Sequence, residues 1–346
     1  MLSLLLIALA AAPQVTVTFA GDVTLGSHAD EYADTLMAKG VSKDEAFVWG
    51  FAKVREVTAK ADLFIVNLEC PFTNTTGKIA KNFNFKARPQ QVASLISAGV
   101  DAVSLANNHL MDFNAAGLFD TIATLDTHGI AHFGAGRSLA AARSPAILTK
   151  NGIRFALLGY FFLGDRNIEP REVIATNDTP GVAGDFSDLE AMKSIVTQDL
   201  RAARKGVDHV IVFYHWGREG RSQLEPYQQE LGHFAVDQGA SAVVGSHPHV
   251  LQGIESYKGA TIAYSLGNFV FGGNWDPKDK RTALLNLTFT KTALIDSTIT
   301  EALSDAYPER PVQPYFPEDA GVVISHLREI SSGFDATIPR LHPGAR

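Results

Sequence analysis

The chain has 346 residues, 46% hydrophobic and 19% charged, which suits one large folded domain or two modest ones and excludes disordered, collagen-like and coiled-coil chains. Lys and Arg number 30 against 37 Asp and Glu, so the net charge of -7 offers no positive field for a nucleic-acid backbone, and no nucleic-acid partner is expected. The single cysteine, Cys70, excludes an intramolecular disulfide framework and a cysteine-based zinc site.

The first element is an apolar run from Met1 to Ala12 that ends in small residues, as a secretory h-region and its cleavage site do. It is too short to span a bilayer comfortably. It also lacks a positive n-region, which leaves open an upstream start, an atypical signal or a leader with no export role. The expectation carried forward is a signal peptide over residues 1–12 and a secreted or periplasmic chain. After it, short β-branched runs alternate with stretches of helical spacing, the pattern of an α/β domain. Strands are expected at Gln14 to Ala20, Leu63 to Val66, Ala102 to Ala106, Arg154 to Tyr160, Val210 to Tyr214, Ser241 to Gly245 and Thr261 to Ser265. Helices are expected at Asp44 to Lys60, Gln90 to Ala98, Ala115 to His128, Leu189 to Arg204 and Pro226 to Gln238. Alternation at Leu284 to Thr290 and Ala293 to Thr300 predicts an antiparallel hairpin, and Ala306 to Arg346 reads as Pro-rich loops wrapping the domain. The expected organisation is one domain over 13–290, with a C-terminal hairpin and irregular extension over 291–346 packed on it.

The ends of the strands carry the chemistry. Near-continuous apolar strands are buried on both faces, and ligands in such sheets sit beyond the strands' carboxyl ends. There the chain places Asp22, Glu69, Asn108, His215 and the pair His247 and His249, the last two separated only by Pro248. Two carboxylates, three imidazoles and an amide form a mixed N/O set suited to Mn, Zn or Fe, with enough donors for one or two divalent ions and a bridging carboxylate. Two divalent ions would outweigh the charge of Asp22 and Glu69, so a phosphate or carboxylate group on the substrate fits the surplus.

Taken in order, Gly21-Asp22, Asn67-Leu68-Glu69, Ala106-Asn107-Asn108-His109 with Asp112, His215-Trp216-Gly217, Gly245-Ser246-His247-Pro248-His249 and Tyr264 to Phe271 resemble the motifs of the CapA family. These are bacterial poly-gamma-glutamate capsule synthesis proteins related to calcineurin-like metallophosphoesterases. The resemblance runs from about Val15 to Phe271 and includes Phe83 to Pro89 and Phe133 to Gly136. It implies an α/β fold, a metallophosphoesterase-like four-layer α/β/β/α sandwich with the site at the strand ends. It further implies that Asp22 and His249 bind a first metal, that Glu69 bridges, and that Asn108, His215 and His247 bind a second. His109 would be the general acid while a bridging hydroxide attacks. One departure stands out: where the related phosphoesterases carry a histidine ligand two residues after the first aspartate, this chain has Thr24. Two ions, or one tight ion with a second recruited by substrate, fit the sequence equally.

Substrate contacts are expected from Lys86, Arg218 and Asn268, with solvated surface charge an equal reading for Lys86, Arg88 and Arg218. Cys70 reads as a small buried hydrophobe, since nothing near it in sequence lowers its pKa, and Ser246 lacks the surroundings of a nucleophile elbow. Tyr214 and Trp216 read as packing residues, and His28, His132, His209 and His233 as structural or exposed. The resulting expectation is a protein of capsule or poly-gamma-glutamate synthesis or processing that hydrolyses a phosphoester or amide. The alternative is a non-catalytic factor that holds an anionic polymer in the same metal pocket. Membrane-bound capsule machinery is an expected partner from the resemblance alone.

Overall fold

The computed structural model describes residues 12–273, 276–307, 310–334 and 340–341, so residues 1–11 of the expected leader lie outside the described residues. Two β-sheets form the centre. Across the larger one the strands run Asn268–Phe271, Arg310–Tyr315, Leu294–Tyr307, Arg281–Phe289, Val15–Thr24, Leu63–Leu68, Ala102–Ser104 and Ala131–Phe133, with Arg340–Leu341 beside Leu294–Tyr307. The smaller sheet runs Ile254–Tyr257, Ala260–Ala263, Ala242–Ser246, His209–Trp216, Ile153–Phe162 and Ala146–Lys150.

Alternating side chains explain the layering. Along Leu63–Leu68, Leu63 and Ile65 pack with Phe155, Leu157, Ile211 and Phe213 of the other sheet, so one core lies between the sheets. Phe64, Val66 and Leu68 point the other way, onto Phe47, Phe51, Leu95 and Leu118 from the outer helical layer. On the far side, Leu158, Val210 and Val212 meet Met192, Val196 and Leu200 of Leu189–Ala203 and Leu231 and Ala235 of Pro226–Asp237. Helices, sheet, sheet and helices make four layers, and strands buried on both faces account for their unbroken apolar runs.

Three local expectations are corrected. The segment Asp44 to Lys60 is not one helix but Lys43–Val48, a 3-10 turn Trp49–Phe51 and Arg55–Thr58. Trp49, Gly50 and Phe51 are all buried, so at its middle the segment has no solvent face and no amphipathic stripe to keep. The region after Ala306 contains a strand, Arg310–Tyr315, and a helix, Val322–Ile330; residues 308–309, 335–339 and 342–346 lie outside the described residues. That helix is capped from a distance: the Glu301 carboxylate accepts from the N–H groups of Gly321, Val323 and Ile324 at 2.6, 2.7 and 2.8 Å. Finally, His28–Ala38 is helical without having been expected, because only Ala29 and Ala33 are buried and such small residues leave a faint periodicity. The residue-290 boundary falls in the turn between Arg281–Phe289 and Leu294–Tyr307, paired antiparallel strands of the larger sheet.

Candidate metal centre

Backbone register brings the strand ends to one point. Asp22 pairs with Asn67 on one side and Asn268 on the other, and His215 pairs with Ser246. An irregularity between Phe19 and Asp22 aims the aspartate, and the chain there approaches so closely that a Cβ on Gly21 would lie 1.8 Å from Gly267 O. His247 and His249 both adopt left-handed backbone, with φ of 95° and 58°. For non-glycine residues this costs roughly 1–3 kcal/mol each, a strain typical of residues held for function.

Asp22, Glu69, Asn108, His215, His247 and His249 form one contiguous cluster, all buried except the partly exposed His249. Within it, Asp22, Glu69 and His215 place one donor atom each within 4.8 Å of the others, and so do Glu69, His247 and His249. Glu69 is common to both groups. The closest donor pairs follow a different partition: His215 Nε2 lies 2.9 Å from Asn108 Oδ1 and 3.0 Å from His247 Nδ1, while His249 Nδ1 lies 3.1 Å from Asp22 Oδ2.

Donor atoms crowd around His215. Its Nδ1 lies 3.1 Å from Ser246 Oγ and 3.4 Å from Asn67 Nδ2. Burial and the neighbouring imidazoles of His247 and His249 hold His215 well below the ordinary histidine range, so it is neutral and has one proton for its two nitrogens. Its Nε2 faces Asn108 Oδ1 at 2.9 Å and His247 Nδ1 at 3.0 Å at once. The Asn108 amide is held in this orientation, because its Nδ2 donates to Glu169 Oε1 at 3.1 Å. Glu69 Oε1 is buried with no hydrogen-bond partner, 3.5 Å from His215 Nε2 and 3.9 Å from His249 Nε2. Burial and the Asp22 carboxylate push the Glu69 carboxyl well above its usual range. An orphaned carboxylate oxygen is costly in a dry interior, and a divalent cation at the convergence of these nitrogen and oxygen atoms satisfies it. The residues present therefore fit a metal.

Amides and an ion-pair network hold the donors. Asn107 Oδ1 accepts from the N–H groups of His109 and Leu110, so its Nδ2 faces outward and donates to Asn67 Oδ1 at 3.1 Å. Asn67 then donates to Asp22 Oδ1 at 2.8 Å. Each amide fixes the next. Beside the cluster, His109 Nδ1 meets Asp112 Oδ2 at 2.7 Å, and the ring packs on Phe85. Burial lowers His109 from its ordinary range against the pull of Asp112. Lys81 Nζ lies 2.9 Å from Asp112 and 2.9 Å from Glu169, and donates to Asn108 O at 2.8 Å.

The other expected site residues sit differently. Asn268 joins the cluster, its Oδ1 3.0 Å from His249 Nδ1. Lys86 spends its ammonium on Thr75 O at 2.6 Å and lies over the Phe113 ring, and Arg88 pairs with Asp30 and Asp34. Arg218 is exposed on the turn whose Gly220 N–H donates to Pro248 O, next to Glu219; against burial, the hydrogen bond to Asp22 holds His249 above its ordinary range, with Glu219 adding to the pull. Thr24 Oγ1 donates to Glu69 O at 3.2 Å. Cys70 is buried, and burial pushes its thiol up to about 12. Sequence reasoning quoted Asn67 and Asn107 in motifs without giving them a role. It missed Lys81 and Glu169, which lie on loops with no local signal and are brought in only by the fold.

The chain matches the family model for the bacterial capsule synthesis protein PGA_cap over residues 16–273. It is 32% identical over 292 residues to the capsule biosynthesis protein CapA of Bacillus anthracis, covering 82% of this chain and 66% of that one. It is 30% identical over 264 residues to the PGA biosynthesis protein CapA of Bacillus subtilis, covering 75% and 64%. The chain thus spans just under two thirds of the length of these curated relatives. Among solved structures, it is similar to a novel phosphatase from Mycoplasma pneumoniae, with a TM-score of 0.47, 13% identity, and coverage of 86% of this chain and 96% of that one. Six motifs in order, their convergence on one cluster and the family match agree: the chain belongs to the bacterial capsule synthesis protein PGA_cap family, the CapA family its motifs resemble.

Proposed function

We propose that this chain is a metal-dependent hydrolase that cuts a phosphoester or amide bond in an anionic substrate, in the setting of poly-gamma-glutamate capsule synthesis. The observation that carries this reading is the buried convergence of His215 Nε2, Asn108 Oδ1 and His247 Nδ1 beside the unpartnered Glu69 Oε1. Asp22, Glu69, Asn108, His215, His247 and His249 would hold one or two divalent ions, which when bound supply Lewis-acid activation of the scissile group and of the attacking water. Asn67 and Glu169 fix the donor atoms of Asp22 and Asn108. His109 has its Nδ1 tied to Asp112, which leaves Nε2 as the ring nitrogen that exchanges a proton with the leaving group. Arg218, exposed at the turn beside Pro248, is the cation placed to meet a substrate's negative charge. The apolar leader supports a secreted or periplasmic setting, where capsule polymer and membrane-bound machinery would be met; fractionation of cells expressing the full chain tests it.

The test is to incubate the chain, loaded with Mn2+ or Zn2+, with aryl phosphate mono- and diesters and with gamma-linked glutamate oligomers. Turnover that needs metal and disappears in His109→Ala supports the hydrolase. Polymer binding with no turnover on any of these would replace it with the non-catalytic reading.

A further inference from the structure

Where the related phosphoesterases carry a histidine ligand for the first metal position, this chain has Thr24, whose hydroxyl is turned back onto Glu69 O. The neighbouring strand supplies an oxygen instead. Asn268 sits opposite Asp22 in parallel register, buried to 3% exposure, and its backbone is held by Ser304 Oγ donating to Asn268 O at 2.7 Å. Its Oδ1 is 3.0 Å from His249 Nδ1, and that same nitrogen is 3.1 Å from Asp22 Oδ2. A ring nitrogen carries at most one hydrogen, yet this one faces two oxygens equally closely. Donors at right angles about an ion with bonds of about 2.1 Å lie about 3.0 Å apart, so each oxygen stands from the His249 nitrogen at the spacing of donors sharing one cation.

We infer that Asn268 Oδ1 is a ligand of the first metal position, taking the place of the imidazole that Thr24 cannot provide. This rests on the metal-centre reading of the cluster. It also separates the two positions chemically. Asp22, Asn268 and the shared Glu69 give the first position three oxygens and one nitrogen, His249. The second has His215 and His247 with Asn108 and Glu69. Oxygen-rich sites suit hard cations such as Mn2+ or Mg2+, and paired imidazoles suit Zn2+ or Fe2+, so the first position prefers Mn2+ and the second Zn2+.

The experiment titrates the metal-free full chain with one equivalent of Zn2+ and then with Mn2+, followed by calorimetry and by the electron paramagnetic resonance of bound Mn2+. The parent should take both ions. Asn268→Ala should bind Zn2+ as the parent does and lose Mn2+ affinity at least about tenfold. Asn268→Asp, which keeps an oxygen donor, should restore Mn2+, and Thr24→His in the Asn268→Ala background should restore a second ion while favouring Zn2+. Should Asn268→Ala not fold, Asn268→Asp and the single Thr24→His variant still report, through Mn2+ affinity and a shift towards Zn2+. Unchanged Mn2+ affinity in Asn268→Ala, with both ions bound, overturns the Asn268 assignment alone. A parent that binds neither ion overturns the metal centre, and the Asn268 assignment with it.

Discussion

His209 and His215 lie on the same strand, six positions apart, and both are buried. At the strand's start, His209 Nε2 meets Thr290 O at 2.7 Å and Nδ1 meets Ser241 Oγ at 3.1 Å: one partner for each nitrogen, with protons that match. At the strand's end, His215 has one nitrogen satisfied by Ser246 and the other facing Asn108 Oδ1 and His247 Nδ1 at once. Burial and residue type are the same, so neither distinguishes structure from function here. The set of partners does. The same contrast separates the two ends of the larger sheet: away from the site, Thr18, Asn286 and Thr300 hydrogen-bond in a closed series, whereas at the site Glu69 Oε1 has no partner.

The largest expected effect is on turnover. Because His109 is tied to Asp112 and makes none of the short donor contacts, His109→Ala should cut the rate about 10²–10⁴-fold while leaving metal content intact, measured by steady-state kinetics alongside elemental analysis. Next comes Lys81, whose side chain is only 8% exposed and compensates the buried Asp112 and the partly buried Glu169. Lys81→Met should destabilise the fold by about 3–5 kcal/mol in denaturant unfolding, since it leaves Asp112 Oδ1 and Glu169 Oε2 without their cation. A small loss there would mean that water already reaches the network.

Metal should then sharpen the histidine comparison directly. At a hundredfold excess of ion over its Kd, the fold should gain about 2.7 kcal/mol, seen as a rise in Tm. That gain should shrink in His215→Ala and persist in full in His209→Ala. The latter should instead lose at least about 1–3 kcal/mol of stability with metal binding unchanged, because it unpairs Ser241 and the Thr290 carbonyl and removes the ring's packing on Phe155 and Phe289. The smallest effect is a null one: with its thiol buried and pushed up to about 12, Cys70 should not react with a disulfide reagent until the chain unfolds.

What was legible in the sequence follows the same division. Strand ends were legible because a continuous apolar run that stops at Asp22, Glu69 or His247 marks both burial and its limit. The six clustered donors were named from those stops and from the family resemblance. Lys81 and Glu169 were not legible, because their meaning lies in distances to Asp112 and Asn108 across loops of no regular pattern. The helix Val322–Ile330 escaped for a comparable reason, since its cap is a carboxylate about twenty residues earlier, on a strand of the sheet. Trp49 to Phe51 misled because buried on every side they offer no periodicity to choose between helix and turn.

The most direct test of the central claim is elemental analysis of the full chain, purified without added metal, then saturated with Mn2+ and Zn2+ and dialysed. The same measurement is made on His215→Ala/His247→Ala and on His209→Ala. The account predicts close to two retained ions in the parent and in His209→Ala, with a loss of at least one in the double variant. Equal metal content in all three, or none in any, would contradict a metal centre at the strand ends.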